Sequence, residues 1–183
     1  MRAAAIFLLG GLFGAGAVVF PKAVSHLRAA LRKAPLQPPG SLVHTDESFQ
    51  FLAHGTLDEI APLFGADKER VWAPGWNPQF VYPLPAPDDK EPKDKEGMVF
   101  AVDHGHHRAI WLNTEFDLVN GRVTYAYVIP DAMVTLIRLR LTPAGQTTRV
   151  NVIYQRTSLS PQADEHVRRL AEGDRRSGPE WQT

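Results

Sequence analysis

Asp103-His104-Gly105-His106-His107 puts four side chains able to hold a transition metal within five residues. Imidazole and carboxylate are ligands of Zn²⁺, Ni²⁺ and Cu²⁺. The cluster contains a glycine and falls between two strand-like runs, so it reads as a hairpin loop. Consecutive histidines on a turn do not converge on one ion without further ligands, and no metal is expected. Titration near neutrality is what such a turn can offer. A second set of candidates is more dispersed: Glu115, Tyr125, Tyr127, Tyr154 and Arg156. A tyrosine or glutamate held in an apolar pocket can move protons in a cyclisation or dehydration. The competing role, which we prefer, has the tyrosines filling a core with their hydroxyls aimed at ordered partners. Glu115 then faces solvent on the outer side of its strand.

Other chemistries are excluded by what is missing. The chain has no cysteine, which removes thiolate catalysis, disulfides and Cys-ligated metals. It has no Gly-x-Ser-x-Gly, and the glycines at 10–16 lie in an apolar run rather than a phosphate loop. Lys+Arg and Asp+Glu are both 20, so no electrostatic ground exists for a nucleic-acid partner. No cofactor is expected.

The elements that must position these residues follow from periodicity and turn chemistry. Residues 47–54 read as a first strand with Phe49 and Phe51 on one face. Thr56-Leu57-Asp58-Glu59 fits a capping box and opens a short helix with Leu57, Ile60, Leu63 and Phe64 on one side. Pro62 limits its length. A second short helix is expected over 66–71, and a second strand over 78–82. Residues 84–96 hold three prolines, with eight charges between Asp88 and Glu96, and read as a solvated mobile loop. Strands are then expected over 98–102, 108–117, 122–129, 133–141 and 147–157. Asn120-Gly121, Pro130-Asp131 and Ala144-Gly145 make the turns. Sequential strands on short turns form an antiparallel meander.

Alternation assigns the faces. Val123, Tyr125, Tyr127 and Ile129 share one side of their strand. Met133, Ile137, Leu139 and Leu141 share another, with Arg138 and Arg140 opposite. Val150, Val152 and Tyr154 oppose Arg149, Asn151 and Gln155. The sheet therefore has one buried side. In the strand over 108–117, Ile110, Leu112, Thr114 and Phe116 are taken as inward, against Trp111, Asn113 and Glu115.

Trp72-Ala73-Pro74-Gly75-Trp76 places two indoles around a Pro-Gly turn between the helices and the meander. The pair can pin the corner of the fold or face a ligand. This segment resembles the Trp-x-Pro-Gly-Trp element of the START-like (SRPBCC) superfamily, the polyketide cyclase/dehydratase and lipid-transport proteins. Trp111, Thr114 and Asp117 resemble its fourth strand and following turn. Tyr154, Thr157, Leu159 and Ser160 resemble the end of its last strand. The element order over about 46–160 agrees with that family's Bet v 1-like helix-grip architecture. The resemblance implies an α+β fold: a curved antiparallel sheet of roughly seven strands, two short helices after the first, and a helix gripped by the sheet. It also implies a cavity between sheet and helix, lined by Trp72, Trp76, Leu112, Phe116, Tyr125, Tyr127, Ile137 and Tyr154. The sequence departs from the family at its C-terminal end. Residues 161–176 make only a modest helix before Gly178-Pro179, where the family uses five or more turns. A shortened helix is expected to leave much of the apolar face uncovered.

Residues 3–20 carry no charged or strongly polar side chain and, as a helix, reach about 27 Å, close to a bilayer core. Residues 1–23 thus read as a signal peptide, with Ala15-Gly16-Ala17 as a small-x-small site, or as an anchor. Lys22, Arg28, Arg32 and Lys33 favour retention on the cytoplasmic side. The chain is expected to be membrane-anchored or exported, with orientation open. Residues 24–45 are a basic segment and Pro-rich linker, and 46–183 the folded domain. The expected role is binding a small hydrophobic molecule, such as a lipid, isoprenoid or polyketide-like compound. The alternatives are a cyclase/dehydratase-type enzyme and an interaction module with an open apolar sheet face, which allows a homodimer.

Overall fold

The computed structural model describes residues 42–104 and 107–177. The predicted N-terminal segment, most of the linker, and Gly178-Pro179 lie outside these residues. Among the described residues no helix is long and apolar enough to cross a membrane.

Seven strands form one antiparallel sheet: β1 His44–His54, β2 Gln79–Tyr82, β3 Val99–His104, β4 His107–Asp117, β5 Arg122–Ile129, β6 Met133–Ala144 and β7 Thr147–Ser158. Their order across the sheet is β1-β7-β6-β5-β4-β3-β2. The meander runs outward from β7 to β2, and β1 pairs with the last strand, Phe51 opposite Val150. Between β1 and β2 lie α1 (Leu57–Ile60) and two 3₁₀ turns, Ala61–Phe64 and Lys68–Val71. The predicted capping residue works as expected: Glu59 Oε2 accepts from the Thr56 N–H at 2.8 Å and from its hydroxyl at 3.0 Å. Pro62 then turns the chain from α-helix to 3₁₀, since it supplies no N–H donor.

The expected inner faces of β5, β6 and β7 are those found. Val123, Leu139, Val150 and Val152 have essentially no exposure. β4 reverses the expectation. Its inner residues are Ala109, Trp111 and Asn113, while Ile110 and Leu112 are 41% and 39% exposed on the outer side. A bulge between Asn113 and Glu115 shifts the phase, so that Phe116, opposite Val123, packs on the core after all. Unbroken alternation cannot place both Trp111 and Phe116 inward; one extra residue does. The larger ring decides the phase before the bulge, because Trp111 stacks on its cross-strand neighbour Tyr127 with centroids 4.3 Å apart.

The charged loop before β3 is pinned rather than free in its second half. Asp94 Oδ1 accepts from the Ala66 N–H at 2.8 Å, Glu91 pairs with Arg70 at 2.9 Å, and Pro92 is buried. These contacts tie it beneath the 3₁₀ turns, where composition alone indicated solvation.

Helix α2 (Asp164–Asp174) has 11 residues, about 16 Å of rise. It packs on β1 and β7 through Val167 and Ala171. Its start is tied by Asp164 to Ser158 and its end by Arg175 to Glu47, at 2.5 and 2.8 Å. The helix is short, as expected, but the consequence drawn from that does not hold. Residues 57–76 cover the inner face that α2 does not reach, so Trp111, Tyr127 and Ile137 are each under 8% exposed. The open apolar sheet face of the interaction-module reading is absent among the described residues.

The β5–β6 contact sets one glycine apart. Gly121 and Gly145 both adopt positive φ, +62° and +69°. A Cβ on Gly121 would also collide with the carbonyl oxygen of Leu141, whereas one on Gly145 meets nothing within 4 Å. Gly145→Ala should therefore cost about 1 kcal/mol, and Gly121→Ala clearly more, in urea unfolding. Equal losses would contradict the close approach of the Asn120-Gly121 turn to β6.

Candidate functional site

Cross-strand register builds the wall of a cavity. Tyr125 on β5, Ile137 on β6 and Tyr154 on β7 face one another in one row. The next row is Tyr127, Thr135 and Arg156. Trp111 extends it from β4 through its contact with Tyr127. Opposite this wall stand Phe64, Glu69, Trp72, Ala73 and Trp76 from the helical segment. The space between is about 230 Å³.

The Trp corner is both structural and cavity-facing. Trp76 donates its indole N–H to the Ala66 carbonyl at 2.6 Å, and Trp72 donates to Leu63 at 2.7 Å. Each indole thus holds the polypeptide just upstream, in the manner of a strap. Trp76 also meets Trp111 edge-on, with centroids 5.2 Å apart. Trp72 is 36% exposed and forms the rim.

Of the residues expected to line a cavity, Trp72, Trp76, Tyr125, Tyr127, Ile137 and Tyr154 do so. Leu112 does not, since it lies on the outer face. Phe116 is half-buried against the core below the cavity. Glu115 is removed from the acid–base candidates. It lies outside, accepting from Thr124 at 3.0 Å and pairing with Arg122 and Arg140 at 3.2 and 3.1 Å. Asp103 of the histidine-rich turn pairs with Arg108 at 3.0 Å, and Gly105 and His106 lie outside the described residues. Among the described residues no three potential ligands gather on one ion.

The residue that sequence reading missed is Glu69. It lies on a 3₁₀ turn, is 9% exposed and lines the cavity. Its Oε1 is 3.3 Å from the Tyr125 hydroxyl, which also bonds the Phe64 carbonyl. Burial pushes the Glu69 carboxyl well above the usual carboxylate range, against the opposing effect of the Tyr125 hydrogen bond. Burial likewise raises the Tyr125 phenol well above its ordinary value, and the Glu69 charge adds to it. A neutral carboxyl fits the local bonding. The phenol has one proton, which serves the Phe64 carbonyl, and a protonated Glu69 can then donate to the phenol oxygen. Nothing in the local sequence sets Glu69 apart, since Asp67, Lys68 and Arg70 beside it are charged as well, and helical periodicity gives no face to a single 3₁₀ turn.

A raised carboxyl pKa has a definite sign in stability. Between the ordinary carboxylate range and Glu69's own value, the unfolded chain has released the proton and the native protein keeps it. Stability is therefore fully present at low pH and falls as pH rises through that window. Asp94, raised mainly by burial, contributes in the same direction. Glu69→Gln should flatten the fall, leaving the smaller slope from Asp94. Urea midpoints measured across pH test this, and an unchanged slope in the variant would place the titration elsewhere.

No protein-family model matches the sequence, and no curated protein does. Solved structures do match. Norcoclaurine synthase from Thalictrum flavum aligns over 91% of this chain and 88% of its own, at 10% identity and a TM-score of 0.51. The same enzyme has been solved with dopamine and hydroxybenzaldehyde. A protein from Rhizobium leguminosarum aligns over 74% of this chain and 91% of its own, at 10% identity and a TM-score of 0.54. Ara h 8.0201 aligns over 74% and 94%, at 9% identity and a TM-score of 0.51. At such identities the likeness speaks for architecture, and it agrees with the order β1-β7-β6-β5-β4-β3-β2 and the gripped helix. This chain has the helix-grip fold of the Bet v 1-like, or SRPBCC, proteins.

Proposed function

We propose that the domain binds a compact, largely apolar molecule in the cavity beneath the Trp corner. The observation that carries this is the cavity itself, about 230 Å³ walled by Trp76, Trp111, Tyr125, Tyr127, Ile137 and Tyr154. Its size narrows the expectation drawn from sequence. Pockets for drug-sized ligands run from about 300 to 1,000 Å³, while a dry cavity of about 150 Å³ takes benzene. A molecule of one or two rings fits between these limits, and an acyl chain fully enclosed does not. Aromatic walls supply most of the affinity by burial, and the Trp72 rim is the way in. That norcoclaurine synthase, of the same fold, has been solved with dopamine and hydroxybenzaldehyde is consistent with a ligand of this size. The apolar run at 3–20 would keep the domain at a membrane, where such molecules concentrate.

The Glu69–Tyr125 contact favours a second reading, acid–base catalysis on the bound molecule. A buried carboxyl kept neutral can give a proton, and its tyrosine neighbour can relay or stabilise the charge left behind. Loss of such a group costs about 10²–10⁴-fold in rate.

Native mass spectrometry of the full chain, purified from its source membranes, separates the readings. A binder carries a discrete small adduct, and Ile137→Trp, which fills the middle of the wall, abolishes it with the fold retained by circular dichroism. If the site is catalytic, the molecule eluted from Glu69→Gln differs from that eluted from the unaltered protein, because the variant holds unreacted substrate. An adduct that survives Ile137→Trp would place the ligand outside this cavity.

A further inference from the structure

The cavity is walled mostly by rings, yet two oxygens on it have bonds still to make. Glu69, 9% exposed, lines the space and spends only one carboxyl oxygen on the protein. Oε1 lies 3.3 Å from the Tyr125 hydroxyl, while Oε2 has no hydrogen-bond partner among the described residues. No basic side chain acts on this carboxyl among the described residues. Tyr154, in the same row of the wall as Tyr125, also has a hydroxyl with no hydrogen-bond partner among the described residues. Neither oxygen is sealed in the interior, so each keeps access to the space its residue lines. Burial raises the Tyr154 phenol, and the Glu69 charge is among the influences that add to it, so the two groups share one neighbourhood. Proton bookkeeping then fixes what Oε2 can do. The Phe64 carbonyl only accepts, so the single phenolic proton of Tyr125 goes to it. The contact at Oε1 needs a proton carried on Oε1, because two acceptors would otherwise face each other. Oε2 is therefore the carbonyl oxygen of a neutral carboxyl, an acceptor open to the cavity.

We propose that Glu69 Oε2 recognises a hydroxyl hydrogen, so that the ligand is a compact alcohol or phenol of one or two rings. This rests on the cavity-binding reading and adds the ligand's polar end to it. A ketone or ether of the same shape brings only acceptors and leaves Oε2 unmatched. A hydroxyl donates to Oε2 and still has lone pairs to take the proton of Tyr154. Charge decides between a hydroxyl and an ammonium, which also donates. An ammonium would have to draw Glu69 into its ionised form inside an aromatic cavity. It would also approach the Arg156 guanidinium, whose central carbon lies 4.2 Å from the centroid of the Tyr154 ring. A neutral donor carries neither cost.

The probes 1-phenylethanol, acetophenone and 1-phenylethylammonium share one skeleton and differ at a single group. Their dissociation constants for the full chain, from NMR titration, should place 1-phenylethanol about fivefold or more tighter than acetophenone, the scale of one net hydrogen bond. The ammonium should be the weakest. In Glu69→Leu the preference for the alcohol over the ketone should vanish. Glu69→Gln puts an amide oxygen in the place of Oε2 and an N–H donor toward Tyr125, and it should recover the preference that Glu69→Leu loses. Should Glu69→Leu fail to fold, the ranking in the unaltered protein and its retention in Glu69→Gln still decide. Equal binding of alcohol and ketone to the unaltered protein overturns the hydroxyl assignment and leaves the apolar cavity standing. A preference that persists in Glu69→Leu overturns the role of Oε2. The ammonium binding tightest, and losing that advantage in Glu69→Gln, overturns the neutral assignment in favour of a cationic ligand. Binding of none of the three overturns the cavity reading and this inference with it.

Discussion

A curved sheet with one apolar face must have that face covered, and here the gripped helix is too short to do it alone. Eleven residues of α2 span β1 and β7. The remainder falls to residues 57–76, a segment with only one turn of α-helix and two of 3₁₀. Such a segment has little stability of its own. It is held by hydrogen bonds that cross from side chain to backbone: Tyr125 to the Phe64 carbonyl, Trp72 to Leu63, Trp76 to Ala66 and Ala66 to Asp94. The cavity exists because a strap held at these points bridges the wall without collapsing onto it.

The interior is more polar than stability alone would select. Glu69 and Asp94 stand behind the strap, and Arg156 pairs with Asp174 where β7 meets α2. A buried ion pair contributes less than well-packed apolar residues of the same volume, and a buried neutral carboxyl costs stability above the ordinary carboxylate range. Polar groups placed against this balance are found at functional sites. Both lie on the cavity: Glu69 at its roof and Arg156 in its wall, with Tyr125 and Tyr154 between them in register.

Much of this was legible in the chain. Turn chemistry located the hairpins at Asn120-Gly121, Pro130-Asp131 and Ala144-Gly145. Period-two alternation gave the inner faces of β5 to β7, and with them Tyr125, Tyr127, Ile137 and Tyr154. What alternation could not see was the bulge after Asn113, because an extra residue leaves no mark in composition; Leu112 was placed inward and Trp111 outward for that reason. Glu69 was hidden by the opposite problem. A single 3₁₀ turn has no periodicity to read, and its burial is decided by Tyr125, 56 residues later in the chain. Asp94 was likewise read as solvated, since the backbone N–H of Ala66 that orders it is a long-range partner.

The cavity beneath the Trp corner is the central claim, and diffraction from xenon-pressurised crystals tests it most directly. Xenon enters dry apolar cavities and reports their position without regard to ligand identity. A xenon peak is expected between Trp76, Tyr127 and Ile137. No xenon there, with Trp72 and Trp76 packed flat onto Tyr127, would mean that the strap closes on the sheet and that the chain has no binding cavity at this place.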